Sequence, residues 1–173
     1  MNDLSYAEAK ELVSQPRLCE EAPPWKHSTL VKGMVTMECG LLEADGSYAG
    51  FQVSLTVSRS PTTKLRAFNF ILFRVRFSVR ERVYQLHLSA INRNPQDEHS
   101  QLHERIGDHR EYSPAAWLEE DFAQILARFC AGATISFLPP MADPEAFAVP
   151  VDRSRSLWHR VHGRWRHRSM GAA

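Results

Sequence analysis

Three histidines, His99, His103 and His109, fall within a short stretch with Asp97, Glu98 and Asp108 and the arginines Arg93 and Arg105. Imidazole titrates near neutrality and can give or take a proton, while a guanidinium can stabilise charge on a phosphate under attack. His103 and His109 as acid and base, with Arg74, Arg93 and Arg105 on phosphates and His87 nearby, would make an RNA-cleaving site if they converged at one end of a sheet. The competing reading makes Arg74, Arg76 and His87 the solvent face of a hairpin and the other histidines a solvated loop. His99 and His103 are four apart and would share a helix face, as a metal pair needs. A third ligand, His109 or Asp108, would have to fold back, so no metal and no other cofactor is expected. The sequence contains no His-Glu-x-x-His, no Gly-rich phosphate loop and no Gly-x-Ser-x-Gly.

A second concentration of chemistry lies near the C-terminus. Residues 152–168 hold six arginines against one acid, a net +5, which leaves −4 for the rest of a chain whose total is +1. Arg155, Arg160, Arg164 and Arg166 interleave with Trp158 and Trp165. Arginines pair with phosphates and indoles stack on bases, so this tail reads as a nucleic-acid arm, RNA more readily than DNA. An arm that docks on an acidic protein partner has the same composition.

With 173 residues the chain is long enough to bury a core. No apolar run approaches the ~20 residues that span a bilayer, and the start, Met1-Asn-Asp-Leu-Ser, lacks the pattern of a signal peptide. Three widely spaced cysteines, Cys19, Cys39 and Cys130, argue against a disulfide framework. These features lead to the expectation of a cytoplasmic protein with no membrane partner.

The elements that must position these residues follow from periodicity. Ser5-Tyr-Ala-Glu8 has the form of a capping box, and Ala9, Leu12 and Val13 continue a short helix over residues 6–14. Phe51, Val53, Leu55 and Val57 alternate with polar residues, which predicts a half-buried strand. Asp45-Gly46 predicts the hairpin turn before it. Ile71, Phe73, Val75, Phe77 and Val79 predict one face of a third strand, and Tyr84, Leu86, Leu88 and Ala90 the matching face of a fourth. A turn at Arg80-Glu81 would set Phe77 opposite Tyr84, Val75 opposite Leu86 and Phe73 opposite Leu88. Ser113-Pro114 opens a helix with the stripe Leu118, Phe122, Ile125, Leu126 and Phe129, ended by Gly132. Residues 133–138 form a last short strand.

The expected fold is therefore α+β: an antiparallel meander of four to five strands with N-terminal and C-terminal helices packed on one face. Residues 1–138 would be the domain, 139–151 a linker and 152–173 the basic tail.

Leu4-Ser-Tyr-Ala-Glu-Ala-Lys-Glu-Leu-Val13, Glu43-Ala-Asp-Gly46, Arg93-Asn-Pro95 and Leu102-His103 together resemble a small bacterial domain family related to the TumE-type toxins of toxin–antitoxin pairs. The resemblance covers residues 4–131 and leaves the tail outside. Where that family has a histidine before Arg-Asn-Pro and a His-Leu-His, this chain has Asn92 and Gln101, so only His103 is kept. The resemblance implies a cytoplasmic bacterial toxin or defence-associated protein that acts on RNA or its translation. The alternative class is a non-enzymatic interaction module, or an accessory subunit of a nucleoprotein complex, that docks through its tail.

Overall fold

The computed structural model describes residues 2–91 and 102–144. Thr29 to Arg59 follows the sequence closely. Strands β4 (Met34–Leu42) and β5 (Tyr48–Arg59) pair antiparallel, with Val35 opposite Val57, Met37 opposite Leu55 and Cys39 opposite Val53. The turn between them is the Asp45-Gly46 pair, with Gly46 at φ +80°. Asp45 Oδ1 accepts hydrogen bonds from the Ser47 amide and hydroxyl, which holds the turn closed.

The meander continues through β6 (Arg66–Arg76) and β7 (Val79–Ser89), but in a different phase from the one expected. Phe68 lies opposite Leu88, Phe70 opposite Leu86 and Leu72 opposite Tyr84. The chain reverses at Phe77-Ser78, both at positive φ (48° and 66°), rather than at Arg80-Glu81. Residues 70–73 are apolar on both faces, and the polar residues that flank them, Asn69 and Arg74, fall on opposite faces, so alternation there cannot choose a side. The choice is made by helix α2 (Phe122–Ala133), whose Phe122 and Phe129 pack edge-on against Phe70. Phe73 and Ile71 go to the opposite face. Between Tyr84 and Arg82 the register shifts, leaving Val83 as the extra residue of a β-bulge.

The His103 to Tyr112 stretch, expected as a loop, is a hairpin of β8 (His103–Ile106) and β9 (His109–Tyr112). Gly107, at φ +57°, makes its turn. A Cβ there would sit 2.5 Å from the Leu4 carbonyl oxygen, so the turn requires glycine on two counts. The N-terminal strand β1 (Asn2–Asp3) runs parallel to β7, with Asp3 opposite Arg82. Strand β2 (Arg17–Glu20) pairs with β4, β3 (Lys26–His27) also pairs with β4, and β10 (Ile135–Leu138) runs parallel to β2 at the sheet edge. The protein is α+β, as expected, but its sheet has ten strands among the described residues rather than four or five.

Helix α1 (Tyr6–Val13) begins at Ser5, whose hydroxyl accepts from the Glu8 amide. Glu8 turns its carboxylate to Arg74 instead of completing the capping box. The second helix is split. A 3-10 turn covers Ala115–Glu119, and α2 starts only after Asp121, which forms a full capping box with Gln124. Gly132 does not end it. That residue lies inside the helix, at a position where a Cβ would meet the Tyr84 hydroxyl at 2.3 Å, and the helix closes at Thr134 in the left-handed conformation. The expected linker begins docked: Met141 packs on the core, and Trp25 Nε1 donates to the Ala142 carbonyl.

Candidate functional site on the polar face of strands β7 to β9

Strand β7 sorts its side chains by alternation. Tyr84, Leu86 and Leu88 enter the core, while Gln85, His87 and Ser89 project to the second face, the one away from α2. Register then assembles two rows on that face. Asn69, His87, His103 and Tyr112 lie side by side, and next to them Ile71, Gln85, Arg105 and Arg110.

Of the five residues expected to converge, Arg74, His87, Arg93, His103 and His109, the structure sets His87 beside His103. Their rings are 5.1 Å apart and tilted by 31°. His103 is only 4 % exposed. Burial, and then the charge of Arg110, lower the pKa of His87, so that imidazole is held neutral.

Beside the histidines runs a hydrogen-bonded chain that sequence reasoning missed. Gln85 Nε2 donates to Asn69 Oδ1 at 2.6 Å, and Arg82 Nη1 donates to Gln85 Oε1 at 2.5 Å. Arg82 Nε and Nη2 both donate to Asp3 Oδ1, at 2.9 and 2.5 Å. Arg105 reaches the same carboxylate only at 3.9 Å, through Nη2. Its Nε is buried and makes no hydrogen bond. Burial first, and then the neighbouring charge of Arg82, push the Arg105 guanidinium below its ordinary pKa. Arg105 is thus a cation whose nearest carboxylate is already engaged by Arg82. The alternation of Gln85, His87 and Ser89 was legible in the sequence. Delivery of Asp3 by β1, more than 70 residues away along the chain, was not.

Two expectations are corrected. His103 and His109 do not converge. His109 lies opposite Ile106, three residues along β8 from His103, so the two imidazoles sit on opposite faces of the hairpin. His109 instead meets Tyr6 edge-on at 5.0 Å and Glu111 at 3.3 Å. Arg74 is likewise elsewhere, paired with Glu81 across the hairpin and five positions along β6 from Asn69, the partner of His87, which is about 17 Å at about 3.3 Å per residue. It is buried, with Nη1 donating to Glu8 at 2.7 Å and Nε to Glu81 at 2.8 Å. Burial opposes its charge, but the hydrogen bonds it donates to Glu81 and Glu8 outweigh that and raise its pKa. It is a clamp between helix and hairpin, committed to protein carboxylates.

Arg93, His99, Arg155, Trp158, Arg160, Arg164, Trp165 and Arg166 lie outside the described residues. Among the described residues no group of three or more His, Cys, Asp or Glu could hold a metal, and no helix is long and apolar enough to cross a membrane.

No protein-family model, curated protein or solved structure matches this chain. Its fold and site define an α+β protein with a polar, arginine-bearing sheet face, and functional argument rests on that face.

Proposed function

We propose that this protein binds RNA, as a toxin-like or defence-associated bacterial protein acting in the cytoplasm, and that binding rather than two-histidine cleavage is its chemistry. The observation that carries the reading is Arg105, a part-buried guanidinium whose only carboxylate contact among the described residues is the long one to Asp3. A phosphate oxygen supplies the acceptor such a group lacks. The neutral His87 beside it offers a hydrogen bond and a flat face without a fixed charge. The basic tail, with Arg155, Arg160, Arg164, Arg166, Trp158 and Trp165, would add phosphate contacts and base stacking.

The test is titration of a labelled single-stranded RNA with the full chain over a range of salt. Log affinity should fall linearly with log salt, by about 0.7 per phosphate contacted. Arg105→Ala should reduce that slope by about one contact, and truncation after Pro150 by several. An unchanged slope in Arg105→Ala removes the sheet face from the reading. Induced expression should slow growth, with relief by Arg105→Ala and none by His109→Ala.

A second reading, a protein-docking module, is favoured by Phe77. It is fully exposed at the β6–β7 tip and in a left-handed conformation that a bulky residue rarely adopts. A partner recovered by the wild-type chain but lost in Phe77→Asn, with RNA binding absent, would put that reading first.

A further inference from the structure

The sequence separates Cys19 and Cys39 by 20 positions, but the sheet makes them neighbours. Strands β2 and β4 meet antiparallel at Leu18 and Leu42. Counting back along that ladder puts Cys19 diagonally across from Cys39 on the core face, within the reach of diagonal cross-strand side chains. Both are buried, and their sulfur atoms are in direct contact at 2.7 Å. Cys130 belongs to a different part of the core. It lies on α2 in the electrostatic surroundings of Tyr84, and β7 is three strands from β4, about 14 Å at ~4.8 Å per strand.

The place of the contact is as informative as its length. Strand β4 registers with β5 from Met34 to Leu42, but with β2 through the single pair Leu18 and Leu42. Strand β2 in turn carries the edge strand β10. The two thiols therefore straddle the thinnest seam in the sheet.

We infer that Cys19 and Cys39 are a dithiol that a hydroperoxide closes to a disulfide, fastening the β2–β10 edge to the rest of the sheet. The thiol–thiol hydrogen bond loosens the Cys19 proton and tightens that of Cys39, so Cys19 is the first to ionise. Its thiolate attacks one peroxide oxygen, the O–O bond breaks, and water leaves after protonation, giving a sulfenic acid. Cys39 sulfur then attacks the Cys19 sulfur, the S–O bond breaks, and a second water leaves. Two thiols and one hydrogen peroxide become one disulfide and two waters. This inference stands on the core face and is independent of the RNA reading.

The test uses the full chain, reduced, freed of reductant and exposed to hydrogen peroxide. It is then acid-quenched, alkylated in denaturant and mapped by peptide mass. One alkylated thiol should remain, at Cys130, with Cys19 and Cys39 in one cross-linked pair and the intact mass lower by two hydrogens. Dithiothreitol should reverse this. The cross-linked form should melt about 5–10 °C higher than the reduced form, since a closed loop of this size restrains the unfolded chain. In Cys39→Ala, Cys19 should accumulate as a sulfenic acid that dimedone traps; if that variant does not fold, the wild-type map decides alone. Three alkylated thiols after treatment, or oxygen added to Cys130 with Cys19 and Cys39 still reduced, would overturn the inference.

Discussion

The two faces of β7 are built from the same eleven residues and do opposite things. Leu86 and Leu88 on the core face are wholly buried among other apolar groups, and Tyr84 spends its one polar atom on Glu104 at 2.5 Å. On the other face Gln85 and Arg82 are also buried, yet they are joined by hydrogen bonds to each other and to Asn69. Burial alone therefore does not distinguish core from site here. What distinguishes them is whether each buried group is satisfied by packing or by a directional partner, because a misplaced polar group costs more than a loosened methyl.

Substitutions sharpen this contrast in descending order of effect. Leu86→Ala, in the dry face, should cost about 2–5 kcal/mol of unfolding free energy by urea titration, since both transfer and cavity terms are lost. A loss below 1 kcal/mol would mean the face is not tightly packed. Gly132→Ala should cost about 1–3 kcal/mol by overpacking, because the new methyl meets the Tyr84 hydroxyl and ring. The Tyr84 hydroxyl should also shift in its NMR or ultraviolet signature as its bond to Glu104 is disturbed.

On the polar face, Gln85→Leu keeps an apolar body but strands Asn69 and Arg82, and should cost about 1–3 kcal/mol. A neutral or stabilising result would show that the hydrogen-bonded chain is dispensable and break the comparison. The smallest effect is pH-dependent. His87 has a folded pKa below its ordinary value of 6.5, so folding favours its neutral form. Its contribution is fully present above pH 6.5 and is lost as pH falls towards the folded pKa. The groups facing it are the tilted ring of His103 and the charge of Arg110. His87→Gln should flatten the fall in melting temperature between pH 7 and 5. A slope equal to that of the wild type would place the titrating group elsewhere.

The legible parts of the fold were those in which one residue type has one use. Ser5 and Asp45-Gly46 fixed a helix start and a turn because a side-chain acceptor and a permitted positive φ are local requirements. The β6 register was not legible, since Phe68, Phe70 and Leu72 are as apolar as Ile71, Phe73 and Val75. The His103 to Tyr112 hairpin was hidden for the opposite reason. Its strands are mostly charged, and edge strands need little apolar surface.

For the site, alternation along β7 set His87 on one side and Leu86 on the other, and His87 with His103 followed once β8 was paired. By itself the sequence determined the α+β class, the first helix, the β4–β5 hairpin and the polar parity of β7, because these depend on neighbours within a few residues. Only the tertiary structure decided that His109 faces away from His103, that Arg74 is spent on Glu8 and Glu81, that Asp3 arrives beside Arg82, and that Cys19 touches Cys39. Those outcomes turn on register and strand order, which are settled by the packing of distant segments and leave no local mark in the chain.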